Sequence, residues 1–126
     1  MPSQNNAGLQ HNKSDAITLV AIAAITANCL IGYDGGFATS AGGVHDCQGV
    51  SETDAAIGSA FSVVTEYSYP VVASVAIAFG DYIKPAADGT GRAAVGTIAD
   101  HCGRALGPAS GAGKLFEMQV VKHAHP

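Results

Sequence analysis

Gly80-Asp81-Tyr82-Ile83-Lys84, Ala87-Asp88-Gly89-Thr90-Gly91-Arg92-Ala93-Ala94-Val95, Cys102-Gly103-Arg104-Ala105-Leu106 and Ser110-Gly111-Ala112-Gly113-Lys114-Leu115-Phe116-Glu117-Met118-Gln119-Val120-Val121 make up most of the last third of this chain. Short runs of β-forming residues alternate with glycine turns, and charges are few. Glycine accepts the positive φ angles of tight turns, and brief branched or aromatic runs between such turns suit strands. The stretch predicts a sheet-built domain specialised for surface contact rather than for turnover.

The same punctuation extends toward the N-terminus. Ile17, Leu19 and Ala21 alternate with Thr18 and Val20, which predicts a first strand. Thr26-Ala27-Asn28 reads as a turn and Cys29 to Tyr33 as a second strand. Asp34-Gly35-Gly36 is a hairpin signal, with Phe37 to Thr39 returning. Gly42-Gly43 breaks the chain again. Val44 to Val50 reads as a strand with Gly49 as a bulge. Glu52 to Gly58 is a loop or a single helical turn. Ala60 to Thr65 is a strand with Phe61, Val63 and Thr65 on one face. Tyr67 to Ala73 follows, and Pro70, having no N–H to donate, marks an edge or a bulge.

Val75 to Phe79 is a strand end or a short helical turn. Tyr82 to Lys84 is a strand stopped by Pro85. Asp88-Gly89-Thr90-Gly91 turns the chain into Arg92 to Val95, and His101 to Leu106 and Leu115 to Val121 close the domain. No helix of ordinary length fits. About eight to ten strands, with turns roughly every 8 to 12 residues, predict a mainly β fold, a compact barrel or sandwich. No long internal repeat is visible. The expected organisation is an N-terminal arm over 1–14, a β domain over 15–121 and a tail over 122–126. The arm is polar, with Gln4, Asn5, Gln10, His11 and Asn12, and has little to bury.

Composition narrows the function. Charged residues are 13% of the 126-residue chain, where a share of roughly 25% is usual. A lone molecule needs a polar coat, so this one is expected to work with its surface covered by copies of itself or by a larger partner. The formal charge is −4 and the six basic residues are scattered from Lys13 to Lys122. Nucleic-acid binding, which needs a concentrated cationic face, is therefore excluded. The apolar run Ala16–Ile31 falls short of the roughly 20 residues that span a bilayer and is interrupted by Asn28, so no membrane partner is expected. The arm lacks the charged start of a secretory signal, which implies synthesis in the cytosol. Three cysteines, Cys29, Cys47 and Cys102, form no disulfide framework and fit a reducing compartment.

Several groups invite a chemical reading. Residues 107–114 resemble a phosphate-binding loop, but the required first glycine falls on Pro108, and Leu115 replaces the magnesium-binding hydroxyl. His45-Asp46-Cys47 and Asp100-His101-Cys102 would offer a tetrahedral zinc site from His45, Cys47, Asp100 and Cys102 if their strands were neighbours. Their spacing matches no zinc-finger pattern, and buried cysteines with polar neighbours account for them. The same residues as a thiol nucleophile set would need a cleft and an oxyanion pocket. Glu52, Asp54, Glu66 and Asp81 read as a solvated surface, and His123 and His125 as part of a loose tail. No metal or cofactor is expected.

In order, several of these elements resemble the small head-decoration, or capsid cement, proteins of tailed bacteriophages. The resemblance runs through Asp15-Ala16-Ile17-Thr18-Leu19, Thr26-Ala27-Asn28, Gly49-Val50 before an acidic loop, and Ala78-Phe79-Gly80-Asp81-Tyr82-Ile83-Lys84. It continues through Asp88-Gly89-Thr90-Gly91-Arg92, Gly103-Arg104-Ala105-Leu106 and Ala109-Ser110-Gly111-Ala112-Gly113 with its terminal strand. It covers residues 15–121. It implies a non-enzymatic β protein of the virion, on the outer surface of the head, that binds the major capsid protein and stabilises contacts between capsomers. Self-association as a homotrimer, or alternatively a dimer, follows from the same resemblance. Gln4, Asn5, Gln10, His11 and Asn12 of the arm, with Tyr67 and Tyr69 on one strand face, are the expected capsid contacts. Two other classes remain: a β-barrel binding module for a carbohydrate or protein ligand, served by Tyr67 and Tyr69, and a thiol or zinc hydrolase using His45, Cys47, His101 and Cys102.

Overall fold

The computed structural model describes residues 16–39, 42–121 and 125. The arm residues Gln4, Asn5, Gln10, His11 and Asn12, and His123 of the tail, lie outside the described residues. The fold is mainly β. The first sheet contains β1 (Ala16–Val20), β2 (Leu30–Gly32), β3 (Cys47–Ser51) and β4 (Ala60–Val64) in the order β1-β4-β3-β2. The second contains β5 (Ser68–Val72), β6 (Tyr82–Pro85), β7 (Ala93–Val95), β8 (Gly103–Ala105) and β9 (Leu115–Val120) in the order β5-β9-β8-β6-β7. All strand pairs within these sheets are antiparallel.

Local chemistry explains most of these elements. At Asp34-Gly35-Gly36 the Asp34 carboxylate accepts the Gly36 N–H at 3.0 Å. Gly35 has φ 88°, and the returning Phe37 bridges Ile31. At Asp88 the carboxylate accepts both the backbone N–H and the hydroxyl of Thr90, at 3.1 and 2.7 Å. These bonds hold the turn and lower the Asp88 pKa. Pro70 sits in the middle of β5, an edge strand, as its missing donor requires.

Three expectations are corrected. Gly43–His45 forms a 3-10 turn, so the strand begins only at Cys47. The register slips opposite Gln48, because Ile31 pairs with Gly49 and Gly32 with Cys47. Gly49 is therefore not the bulge residue; its lack of a side chain lets β3 lie directly against the Val64 carbonyl. Val75–Phe79 is neither strand nor helix. It is a loop drawn across the core, with Ile77 buried and bridged to Ala109.

The structure also contains an internal repeat that the sequence reading missed. Strands β1, β2, β3 and β4 correspond in order and pairing to β5, β6, β8 and β9. The irregular connections repeat as well. Ile25 and Ala55 exchange backbone N–H···O bonds at 2.8 and 2.9 Å, and Ile77 and Ala109 do so at 2.9 Å. Ala21 donates to Ser59 and accepts from Gly58, while Ala73 donates to Lys114 and accepts from Gly113. The bonds Asn28 N–H to Ser51 and Ser51 N–H to Cys29 recur as Gly80 N–H to Ala105 and Ala105 N–H to Asp81. Asn28 and Gly80 both have positive φ, 65° and 88°. A four-stranded unit thus occurs twice, at 16–64 and 68–120.

Side chains follow the same correspondence. Ala21, Ile25, Ile31, Phe61 and Val63 form one buried cluster. Their counterparts Ala73, Ile77, Ile83, Phe116 and Met118 all lie in the other. Full burial of each phenylalanine contributes about 1.5–3 kcal/mol. The units differ on their second face. Consecutive strand residues point to opposite sides of a sheet, so β2 buries Ile31 in its own unit and sends Leu30 into the core of the second unit, joined there by Val50 and Ala38. The positions equivalent to Leu30 and Val50 are Tyr82 and Arg104. There the guanidinium lies over the ring, 4.5 Å from its centroid, on a surface open to solvent. Among the described residues, the first sheet is thus buried on its second face at β2 and β3, where Leu30 and Val50 are fully enclosed.

Gly49 and Gly103 occupy equivalent positions. A Cβ at Gly49 would collide with the Val64 carbonyl oxygen, and one at Gly103 would lie 2.6 Å from the Gln119 oxygen. Gly49→Ala and Gly103→Ala are each expected to lower unfolding free energy by about 2–3 kcal/mol, measured by urea denaturation. Gly107→Ala, with nothing within 4 Å of a new Cβ, should change it by less than about 0.5 kcal/mol.

Candidate functional site

The described residues present a surface with many apolar side chains. Phe79 is 73% exposed, Ile57 70%, Val20 59% and Ile22 54%, and Tyr33, Val44, Ile98 and Leu115 are also exposed. The loops and edges that display them are the parts of each unit left over after its core is closed. Their exposure leaves a share of this surface apolar. Two depressions accompany it. One, about 240 Å³, is lined by Thr39, Lys84, Pro85, Ala94 and Asp100 among others. The other, about 540 Å³, lies where Ala27 and Phe37 of the first unit face Val72, Thr90 and Arg92 of the second.

The junction between the units is built by the Thr26-Ala27-Asn28 turn. The Asn28 carbonyl accepts the Val72 N–H at 2.9 Å, and its side-chain amide donates to the Pro70 carbonyl at 2.9 Å. The outer edge of β5 is thereby capped. The Leu30 N–H donates to Gly91 at 2.6 Å beside it. Gly91 must be glycine, since a Cβ there would meet the Phe37 ring and lie 3.0 Å from the Leu30 oxygen.

The tyrosines are not paired on a strand face. Tyr67 precedes β5 with φ 64°, a conformation rare for a bulky residue, and is exposed. Tyr69 lies within β5 and packs against the larger core. Burial, then the nearby Glu52 charge, raises its phenol pKa. A two-tyrosine ligand platform is therefore absent at these positions.

The histidine–cysteine clusters are partly brought together. Cys47 and Cys102 are brought together: the neighbouring Cys47 thiol, then burial, pushes the Cys102 thiol well above its ordinary pKa. Burial raises Cys29 as well, offset in part by its bond with Thr26. Nucleophilic thiols need the opposite shift. His45 turns away to meet Asp34 at 3.1 Å. His101 meets the Thr97 carbonyl at 3.1 Å and packs at a 47° tilt against Tyr82, ring centroids 4.8 Å apart. Among the described residues no group of three or more His, Cys, Asp or Glu side chains is placed to hold a metal ion. Residues 107–114 connect β8 to strand β9, so no helix N-terminus follows to receive phosphate. No helix of the described residues is long and apolar enough to cross a membrane.

His125, read from sequence as part of a loose tail, is a buried clasp. Its Nδ1 lies 2.8 Å from Asp46 Oδ2 and its Nε2 3.8 Å from Asp100 Oδ1, with 4% of the side chain exposed. Asp46 and Asp100 are equivalent residues of the two units, each just before the third strand of its unit. The imidazole therefore joins the halves of the chain. Nothing local in the sequence links His125 to Asp46, 79 positions away.

No family model matches the chain, and no curated protein matches it in sequence. Among solved structures, the chain shares its fold with the N base of head fiber gp8.5 of bacteriophage phi29. The match has TM-score 0.68 and 20% identity, and covers 87% of this chain and 98% of that one. The chain thus has the fold of that head-fiber base.

Replacing His125 by alanine leaves the buried Asp46 carboxylate without its closest side-chain partner. The expected loss is about 1–3 kcal/mol of unfolding free energy, read by urea denaturation. An unchanged midpoint would show that the tail does not fasten the two units.

Proposed function

We propose that this chain is a structural, non-catalytic protein of a phage virion. It docks on the outer surface of the head, contacts the major capsid protein and stabilises the seams between capsomers. The observation that carries the reading is the fold shared along 87% of the chain with a head-fiber base. The sparse charge and exposed apolar loops support it, because a surface of this kind loses less on desolvation when it is covered.

The mechanism is mechanical. A packed head is loaded outward, and capsomers part along shared seams. A rigid module bridging a seam adds contacts that must break before the shell opens. The repeat suits this role, because two cores joined by the Asn28 turn and the His125 clasp resist bending. Many copies, self-associated as homotrimers, multiply a modest contact into a strong one. Arm residues Gln4, Asn5, Gln10, His11 and Asn12 belong to the contact set of this reading, together with exposed Tyr67. Tyr69 contributes from within β5 through packing.

Purified chain mixed with expanded empty heads should pellet with them, and electron microscopy should show added density on the outer face between capsomers. Deleting residues 1–14 should leave a folded core that binds about tenfold or more weakly. Heads that remain bare at saturating protein would contradict the reading.

A further inference from the structure

Repetition of the unit provides an internal control for each of its surfaces. Strands β1 and β5 are equivalent, and each lies at the edge of its sheet. The outer edge of β5 is covered: Val72 N–H and the Pro70 carbonyl are held by Asn28 of the first unit. Among the described residues, none supplies the corresponding bonds to Val20 and Thr18 of β1. The Gly35 backbone lies against the Val20 carbonyl and accepts the Ile22 N–H at 3.4 Å, but leaves the Val20 N–H and the Thr18 carbonyl without such bonds. This matches the wall that Ala93 provides beside Ser74 in the second unit. β1 carries no charge and no proline, the usual devices that protect an open edge.

The part that would cover β1 also has an identifiable counterpart. The turn that covers β5 presents Ala27 and Asn28, and Ala27 lines the same depression as Val72. Its equivalent in the second unit presents Phe79 and Gly80. Phe79 stands 73% exposed, and Val20, the equivalent of Val72, 59% exposed. Each is half of a contact that the chain already makes once within itself. Val75 and Leu106 in the second unit and Ile22 in the first are exposed as well.

We propose that two copies of this chain associate head to tail by repeating their own internal junction: the Phe79–Gly80 turn of one copy seats on the outer edge of β1 in the next. The contact is chiefly apolar. Gly80 lacks the side-chain amide of Asn28, and its carbonyl already accepts Arg104 at 2.9 Å; the Phe79 ring takes the place of those bonds. The two surfaces differ, so the contact is heterologous, and it propagates until a ring closes. The inference does not rest on attachment to a phage head.

Sedimentation of the full chain at tens of micromolar tests it, with circular dichroism to confirm folding. Wild-type protein should be associated. Phe79→Glu and Val20→Glu, both at exposed positions, should each weaken association about tenfold or more. Because each variant keeps the half that the other lacks, mixing the two should restore a 1:1 complex and nothing larger. If either glutamate variant fails to fold, Phe79→Ser and Val20→Thr replace them with the same expected outcome. The proposal is overturned by a wild-type monomer, by variants that associate like wild type, or by a mixture that stays monomeric. It is equally overturned if the chain associates only after residues 1–14 are deleted, since β1 would then be covered by its own arm.

Discussion

Two loop-to-loop clasps hold this molecule together. In each half, the connections between strands are too irregular to extend a sheet, yet Ile25 with Ala55, and Ile77 with Ala109, exchange paired backbone hydrogen bonds. Those bonds draw the loops across the sheet and bury Ile25 and Ile77 over Phe61 and Phe116. A short four-stranded sheet has one face to bury and no helix here to cover it. The clasp makes the unit cover itself. Without it, each unit would expose its core and the junction between units would lose its base.

Covering itself leaves a unit with a free outer face and a free edge, and the two halves treat these differently. The first unit sends Leu30 and Val50 into its neighbour's core and caps the neighbour's β5 edge with Asn28. Among the described residues, the second unit has no further unit packed against it. At the same positions it carries Tyr82 and Arg104, a pair that satisfies itself in water through the stacked guanidinium. Asp46 and Asp100, equivalent by position, converge on the single His125. The divergence between the repeats is thus concentrated where one half is covered and the other is open.

Much of the fold was legible in the sequence. Alternation at Ile17–Val20, the Asp34-Gly35-Gly36 turn, Pro70 on an edge and the Asp88 turn each follow from one or two residues whose conformational needs are local. The repeat was not legible, although Val20-Ala21-Ile22-Ala23-Ala24-Ile25 and Val72-Ala73-Ser74-Val75-Ala76-Ile77 share four of six residues. The spacing hides it. Ile25 and Ile77 are 52 positions apart, Gly49 and Gly103 are 54, and Phe61 and Phe116 are 55, so no fixed period survives. The Val75–Phe79 loop misleads for a related reason: its burial comes from a distant partner, Ala109, and leaves no periodicity. The Asn28 cap and the His125 clasp depend on residues far apart in the chain, and neither pairing can be inferred from the order of residues alone.

Native-state hydrogen exchange of individual amides tests the repeated, self-covering unit most directly. The amides of Ile25, Ala55, Ile77 and Ala109 lie in loops. The account predicts that all four exchange as slowly as the core-strand amides of Val63 and Met118, because each clasp opens only when its unit unfolds. Exchange of either pair at the rate of an open loop would contradict it.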